Sequence, residues 1–96
     1  MQAPPNFIRN NEEWIVWLLD REFSGSAAPH ALSSRTGLPL DNIHDNFLYM
    51  ERVGLLTLER DPEKKYPDEI AKVSMTDAGR RLCEEIKQRP DPGDLF

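Results

Sequence analysis

Cysteine is all but missing from this chain: Cys83 stands alone, so no intrachain disulfide can form. Its place within an amphipathic segment suits a small buried apolar group better than a nucleophile. Histidine is nearly as scarce. His30 and His44 lie far apart, with no Cys or His at ligand spacing beside either, so no zinc site and no cofactor is expected. There is no glycine-rich phosphate loop, and no Ser or Cys sits in a nucleophile motif, which argues against an enzyme. Long hydrophobic runs are absent too. The longest, WIVWLL at 14–19, is far short of a bilayer span, and the N-terminus lacks a basic region followed by an apolar one. The expected setting is therefore cytoplasmic, with no membrane partner.

Excess positive charge is the last absence. The formal net charge is -5, whereas affinity for nucleic acid rests on Lys and Arg neutralising phosphates. Much of the acidity is peripheral, however. Glu12, Glu13, Asp20 and Glu22 cluster early and Asp91 and Asp94 come last, while residues 23–90 hold 10 basic against 11 acidic residues. The middle of the chain is close to neutral.

What is present fits one small soluble domain: 96 residues, 39% apolar and 30% charged. The pattern divides it into an arm over 1–10, a folded domain over 11–89 and a flexible tail over 90–96, where two prolines and a glycine stand among seven residues. Asn11 and two glutamates open a first helix over about 12–23. Its apolar surface is wider than one stripe, so Trp14 and Trp17 need cover. Either the arm carrying Phe7 and Ile8 supplies it, or these tryptophans form the seam of a homodimer. SGSAAP at 24–29 reads as a loop with Ser26 free to cap, then Pro29 opens a short helix to about Arg35.

Gly37 can close that helix in the left-handed conformation, and Pro39 prevents continuation through Leu38. From Leu40 to Val53 the apolar positions Ile43, Phe47, Met50 and Val53 keep helical spacing, ended by Gly54. LLTLERD and IAKVSM bracket the polar PEKKYPDE, a hairpin with a long tip. Thr76 caps a last helix with Ala78, Leu82 and Ile86 on one face. Gly79 costs about 1 kcal/mol against alanine inside a helix, which points to a close backbone approach there.

This order predicts a mainly α domain with a small β-hairpin wing, a winged helix-turn-helix. The stretch LSSRTGLPLDNIHDNFLYMERVGLLTLE, followed by VSMTDAGRRL, resembles the bacterial MarR and PadR type transcription regulators over about residues 12–88. Leu32, Gly37, Leu38, Ile43, Phe47, Met50, Gly54, Leu55, Thr76, Gly79 and Leu82 carry the likeness. These are scaffold positions, so they speak for fold before function.

The resemblance implies duplex DNA as partner, with Asn42, His44 and Asn46 reading bases from the third helix and Arg35, Lys64 and Lys65 on phosphates. Asp41 and Asp45 oppose that reading, since they put negative charge on a helix that would face a polyanion. A protein-interaction module is the alternative. For it the third helix offers Leu40, Asp41, Asp45, Leu48 and Tyr49, a mixed apolar and acidic face, with Trp14 and Trp17 beside them; a homodimer would pair through the Trp14 and Trp17 face of the first helix or through the fourth helix.

Overall fold

The computed structural model describes residues 4, 5 and 7–89 of the chain. The tail expected over 90–96 lies outside them. The order is α1 (Asn11–Glu22), β1 (Ser26–Ala27), α2 (Pro29–Thr36), α3 (Leu40–Arg52), β2 (Leu56–Arg60), β3 (Ile70–Met75) and α4 (Asp77–Gln88). Four helices and a three-stranded antiparallel sheet thus form the winged helix-turn-helix that the pattern predicts.

Each helix begins where its chemistry dictates, with two corrections. Asn10, not Asn11, caps α1, its Oδ1 accepting from the Glu13 amide at 2.8 Å. Ser26 caps nothing: it lies in β1, and α2 starts from Ala28 with no side-chain cap, Pro29 filling the first turn. At the other end of α2 Gly37 is left-handed, with φ 79°, and its amide donates to Ser33 O at 2.9 Å. Thr36 Oγ1 donates to Leu32 O at 2.8 Å and accepts from the Leu38 amide, while Ser33 Oγ donates to Leu38 O at 2.6 Å. These bonds fix the sharp turn into α3: Gly37 satisfies Ser33 O, one of the carbonyls that the ending helix leaves orphaned, and the two hydroxyls tie the turn to the helix.

Ile43, Phe47 and Met50 of α3 are wholly buried against Leu32 of α2 and Ile15, Leu18 and Leu19 of α1. Burying each such side chain contributes about 1.5–3 kcal/mol. Trp14 joins this core, and Ile8 is nearly as well covered. Trp17 is half-buried, with the Phe7 ring edge-on to it at a centroid distance of 5.8 Å. The arm therefore partly covers Trp17, while Trp14, buried in the core, is not available as an interface residue.

At the junction of α3, the sheet and α4, Thr76 makes three bonds. Its Oγ1 donates to Gly54 O at 2.6 Å and accepts from the Gly79 amide at 3.1 Å, while its own amide donates to Leu55 O. Gly79 faces the same carbonyl so closely that a Cβ there would stand 2.5 Å from Leu55 O. The close approach expected from the sequence is real, and it seats α4 against the base of the hairpin.

The sheet has the order β1-β3-β2. Leu56 faces Met75 and Leu58 faces Val73 across β2 and β3, and the register is broken between Glu59 and Arg60. The short strand β1, which reads as loop in the sequence, pairs Ser26 with Ser74 and Ala27 with Val73. No helix among the described residues is long and apolar enough to cross a membrane.

Candidate nucleic-acid interface

The exposed side of α3 begins with Asp41, Asn42 and Asp45 and continues through Leu48, Tyr49 and Arg52. Asp41 Oδ1 accepts from the Asn42 amide at 2.9 Å, which leaves the Asn42 side chain pointing outward without a partner among the described residues. Asn46 is half-buried and donates through Nδ2 to Asn42 O at 3.3 Å, a helix-surface bond that a better acceptor can replace. Leu40, expected outward, packs partly buried against the core, because it starts the helix directly over the Leu38 turn.

His44 departs most from the sequence reading. Instead of facing out it is 4% exposed, with Nε2 against Glu69 Oε1 of the wing's return limb and the Tyr66 ring edge-on at 4.7 Å. The reason is angular: His44 lies three residues before Phe47 and one after Ile43, beside the buried arc of α3 rather than opposite it. A second, exposed pair joins α2 to the same limb, His30 Nε2 with Asp68 Oδ1 at 2.9 Å. Both histidines thus tie the wing to the helix-turn-helix, and His44 is not placed to read bases. Its Nδ1, together with Glu69 Oε2, is buried without a hydrogen-bond partner among the described residues.

The basic side chains fall into two groups. Arg35 is held by Glu22 of α1, through Nε to Oε1 at 2.6 Å and Nη2 to Oε2 at 2.8 Å. That fork pins α2 to α1 and offsets the charge expected to meet phosphate. Arg60 forks onto Glu51 in the same way, both bonds 2.9 Å, tying β2 to the end of α3. Lys64 and Lys65 are different: both are exposed at the wing tip, with no ion pair among the described residues. The tip is shaped by Asp61, whose Oδ1 accepts from the Glu63 amide at 3.0 Å, and by the Asp68 amide donating to Lys65 O at 2.7 Å.

Electrostatics link the wing to α3. Partial desolvation, then the carboxylates of Asp45, Asp41 and Glu69, push the Tyr66 phenol above its ordinary range. The hydrogen bond from His44 holds Glu69 below the usual carboxylate range. The surface shared by α3 and the wing is consequently bipolar, with acid at the start of the helix and two lysines at the tip.

Two further features bear on chemistry. Cys83 is buried, and desolvation, followed by the Asp20 carboxylate, raises its thiol to about 11, a poor setting for a nucleophile. Among the described residues no group of three or more His, Cys, Asp or Glu side chains could hold a metal ion.

No protein-family model matches the sequence, and none of the curated proteins does. Solved structures do match in shape. A MepR-like protein of the MarR family, solved with pseudoligands, superposes with a TM-score of 0.71 over 94% of this chain and 60% of that one, at 13% identity. The organohalide-sensing transcriptional regulator RdhR, bound to 2,4-dichlorophenol, gives 0.64 over 85% and 47%, at 16% identity. The DNA-binding protein Sso10a-2 of Sulfolobus solfataricus gives 0.60 over 83% and 77%, at 15% identity. This chain spans about half to three fifths of the length of the first two. At these identities the likeness is one of architecture, and the chain has the winged-helix fold of MarR-type regulators.

Proposed function

We propose that this chain is a DNA-associated transcription regulator of winged-helix type, which sets its wing tip and the first half of α3 on duplex DNA. One observation carries the reading: Lys64 and Lys65 stand exposed at the tip and without a carboxylate partner among the described residues, whereas Arg35 and Arg60 are forked onto glutamates. The DNA-binding description of one solved neighbour supports it. In this reading the lysines take phosphates and Asn42 meets a base edge, with Asn46 beside it. Arg35 contributes little, since Glu22 already offsets its charge. Neutralising two phosphates gives a shallow salt dependence, a slope of about -2 in log affinity against log salt.

The test is an amide chemical-shift titration with a generic duplex at low and then higher salt. Salt-sensitive shifts at Asn42, Asn46, Lys64 and Lys65 are expected. Lys64→Glu with Lys65→Glu should weaken binding on every sequence alike and flatten that slope. Unchanged affinity at low salt would remove the wing from the interface.

A second reading, a winged helix that binds protein, is favoured by Leu48 and Tyr49, exposed to 40% and 44% in the middle of α3. Leu48→Asp should then abolish partner capture while the domain stays folded.

A further inference from the structure

The outward face of α3 has an order that neither burial nor a phosphate contact explains. With 3.6 residues per turn, Asp41, Asp45, Leu48, Tyr49 and Arg52 fall within an arc of about 100°, directly opposite the arc that holds Ile43, Phe47 and Met50. Leu48 and Tyr49 are two of only four large apolar side chains that are exposed among the described residues. Arg52 lies over the Tyr49 ring, 5.5 Å from its centroid, and neither Arg52 nor Asp45 has an ion-pair partner among those residues. The stripe therefore reads acid, apolar, apolar, base. Asp45 and Arg52 are equally far from the midpoint between Leu48 and Tyr49, and the charge reverses across it.

We propose that this stripe is a seam for a second copy of the same chain, with the two α3 helices antiparallel across a two-fold axis between Leu48 and Tyr49. Such an interface must be complementary to itself, so that residue i meets j while j meets i. The stripe meets that condition. Asp45 falls opposite Arg52 of the second copy at both ends, and in the middle Leu48 and Tyr49, on opposite flanks of the arc, each meet their own counterpart. Asp41, one turn beyond Asp45, adds to the negative end. The partner's chemistry thus follows from charge complementarity, with an apolar centre and charged ends.

A plainer account exists for the two ends alone. An acid early and a base late in a helix suit its own dipole. That account leaves two large apolar side chains in the middle of an outward face unexplained, and the seam accounts for all four positions together. One helix against one helix is smaller than a standard interface, so the dimer forms and separates with concentration.

The seam does not depend on the DNA reading, but one consequence of it does. A helix covered by its own copy cannot enter a major groove, so dimer and duplex exclude each other at α3.

Sedimentation velocity over a wide concentration range at low salt tests the seam directly. The unaltered protein should dimerise, and less so as salt rises. Asp45→Arg and Arg52→Asp each set like charges against each other across the axis, and each should weaken the dimer at least about tenfold. The double variant should recover it, and the two single variants, each repelling its own kind, should pair when mixed. Both positions are solvent-facing, and melting curves would verify that the variants are folded; Leu48→Gln, which changes no charge, should weaken the dimer as well. A protein that stays monomeric up to millimolar concentration overturns the proposal. So does a dimer indifferent to the swaps, or a double variant no better than the singles. Duplex added to the unaltered dimer separates the two readings: loss of dimer supports masking, whereas an unchanged dimer fraction leaves the seam standing and removes α3 from DNA.

Discussion

Glu13 and Glu69 are both largely covered carboxylates, one at the start of α1 and one on the return limb of the wing, and their surroundings differ in completeness. Glu13 receives Arg89 through a fork of 2.7 and 2.8 Å, the Arg9 amide at 2.9 Å and the Arg9 guanidinium at 3.2 Å. Arg89 also donates to Phe7 O at 3.2 Å, so one cluster binds the arm, α1 and the end of α4. Glu69 meets His44 through one oxygen, while its other oxygen and the far ring nitrogen have no partner among the described residues. A fully satisfied buried polar network rigidifies the elements it joins, whereas a partly satisfied one does so less. The clasp at Glu13 belongs to the scaffold. The junction at Glu69 belongs to the wing, the part that the proposed function sets on DNA.

The sharpest way to break this contrast is Glu13→Ala. It leaves the covered Arg89 without a counter-charge and should cost about 3 kcal/mol, read from urea unfolding. A loss below about 1 kcal/mol would mean that the clasp is ornamental. The same carboxylate governs behaviour in acid. Arg89 first, then the bonds from Arg9, lower it from 4.5 to about 2 against the opposing effect of burial. Its contribution is therefore complete above pH 4.5 and disappears as pH falls through about 2. Glu13→Gln should flatten the fall in stability over that window.

Glu69→Gln ranks next. An amide can still accept from His44 but carries no charge, so the wing should loosen while the melting temperature moves less than in Glu13→Ala. Amide relaxation over residues 61–69 would register this. Relaxation unchanged from the parent protein would erase the distinction between the two carboxylates. Arg9→Ala should have the smallest effect, below about 1 kcal/mol, because its side chain is 69% exposed and Arg89 remains on the carboxylate.

The parts of this fold that local chemistry writes are legible in the sequence. Gly37, Gly54, Thr76 and the Ile43, Phe47, Met50 spacing announce a helix-turn-helix and its exit, and Gly79 announces a tight contact. Long-range pairing is not legible in the same way. Glu13 reads as a glutamate suited to a helix start, because its partner lies 76 residues away. His44 reads as a polar residue on a recognition helix, and only the folded wing, 25 residues on, turns it inward. The one available signal was its place between Ile43 and Phe47. Strand β1 carries no β-type pattern of its own, since its two residues are recruited by the free edge of β3. Arg35 gave no hint of its partner for the same reason: Glu22 stands 13 residues earlier, on a different helix.

The two-residue strand β1 has a mechanical consequence. It flanks β3 only at Val73 and Ser74, so the hairpin is hydrogen-bonded on both sides at its root and on one side beyond. The register break at Glu59 and Arg60 falls just past that double support. The wing is in effect a braced beam, clamped at the root, stepped at mid-span and stayed beyond the step by His44 on Glu69 and His30 on Asp68. A load applied at Lys64 or Lys65 therefore reaches α2 and α3 through those stays as well as the root through the strands.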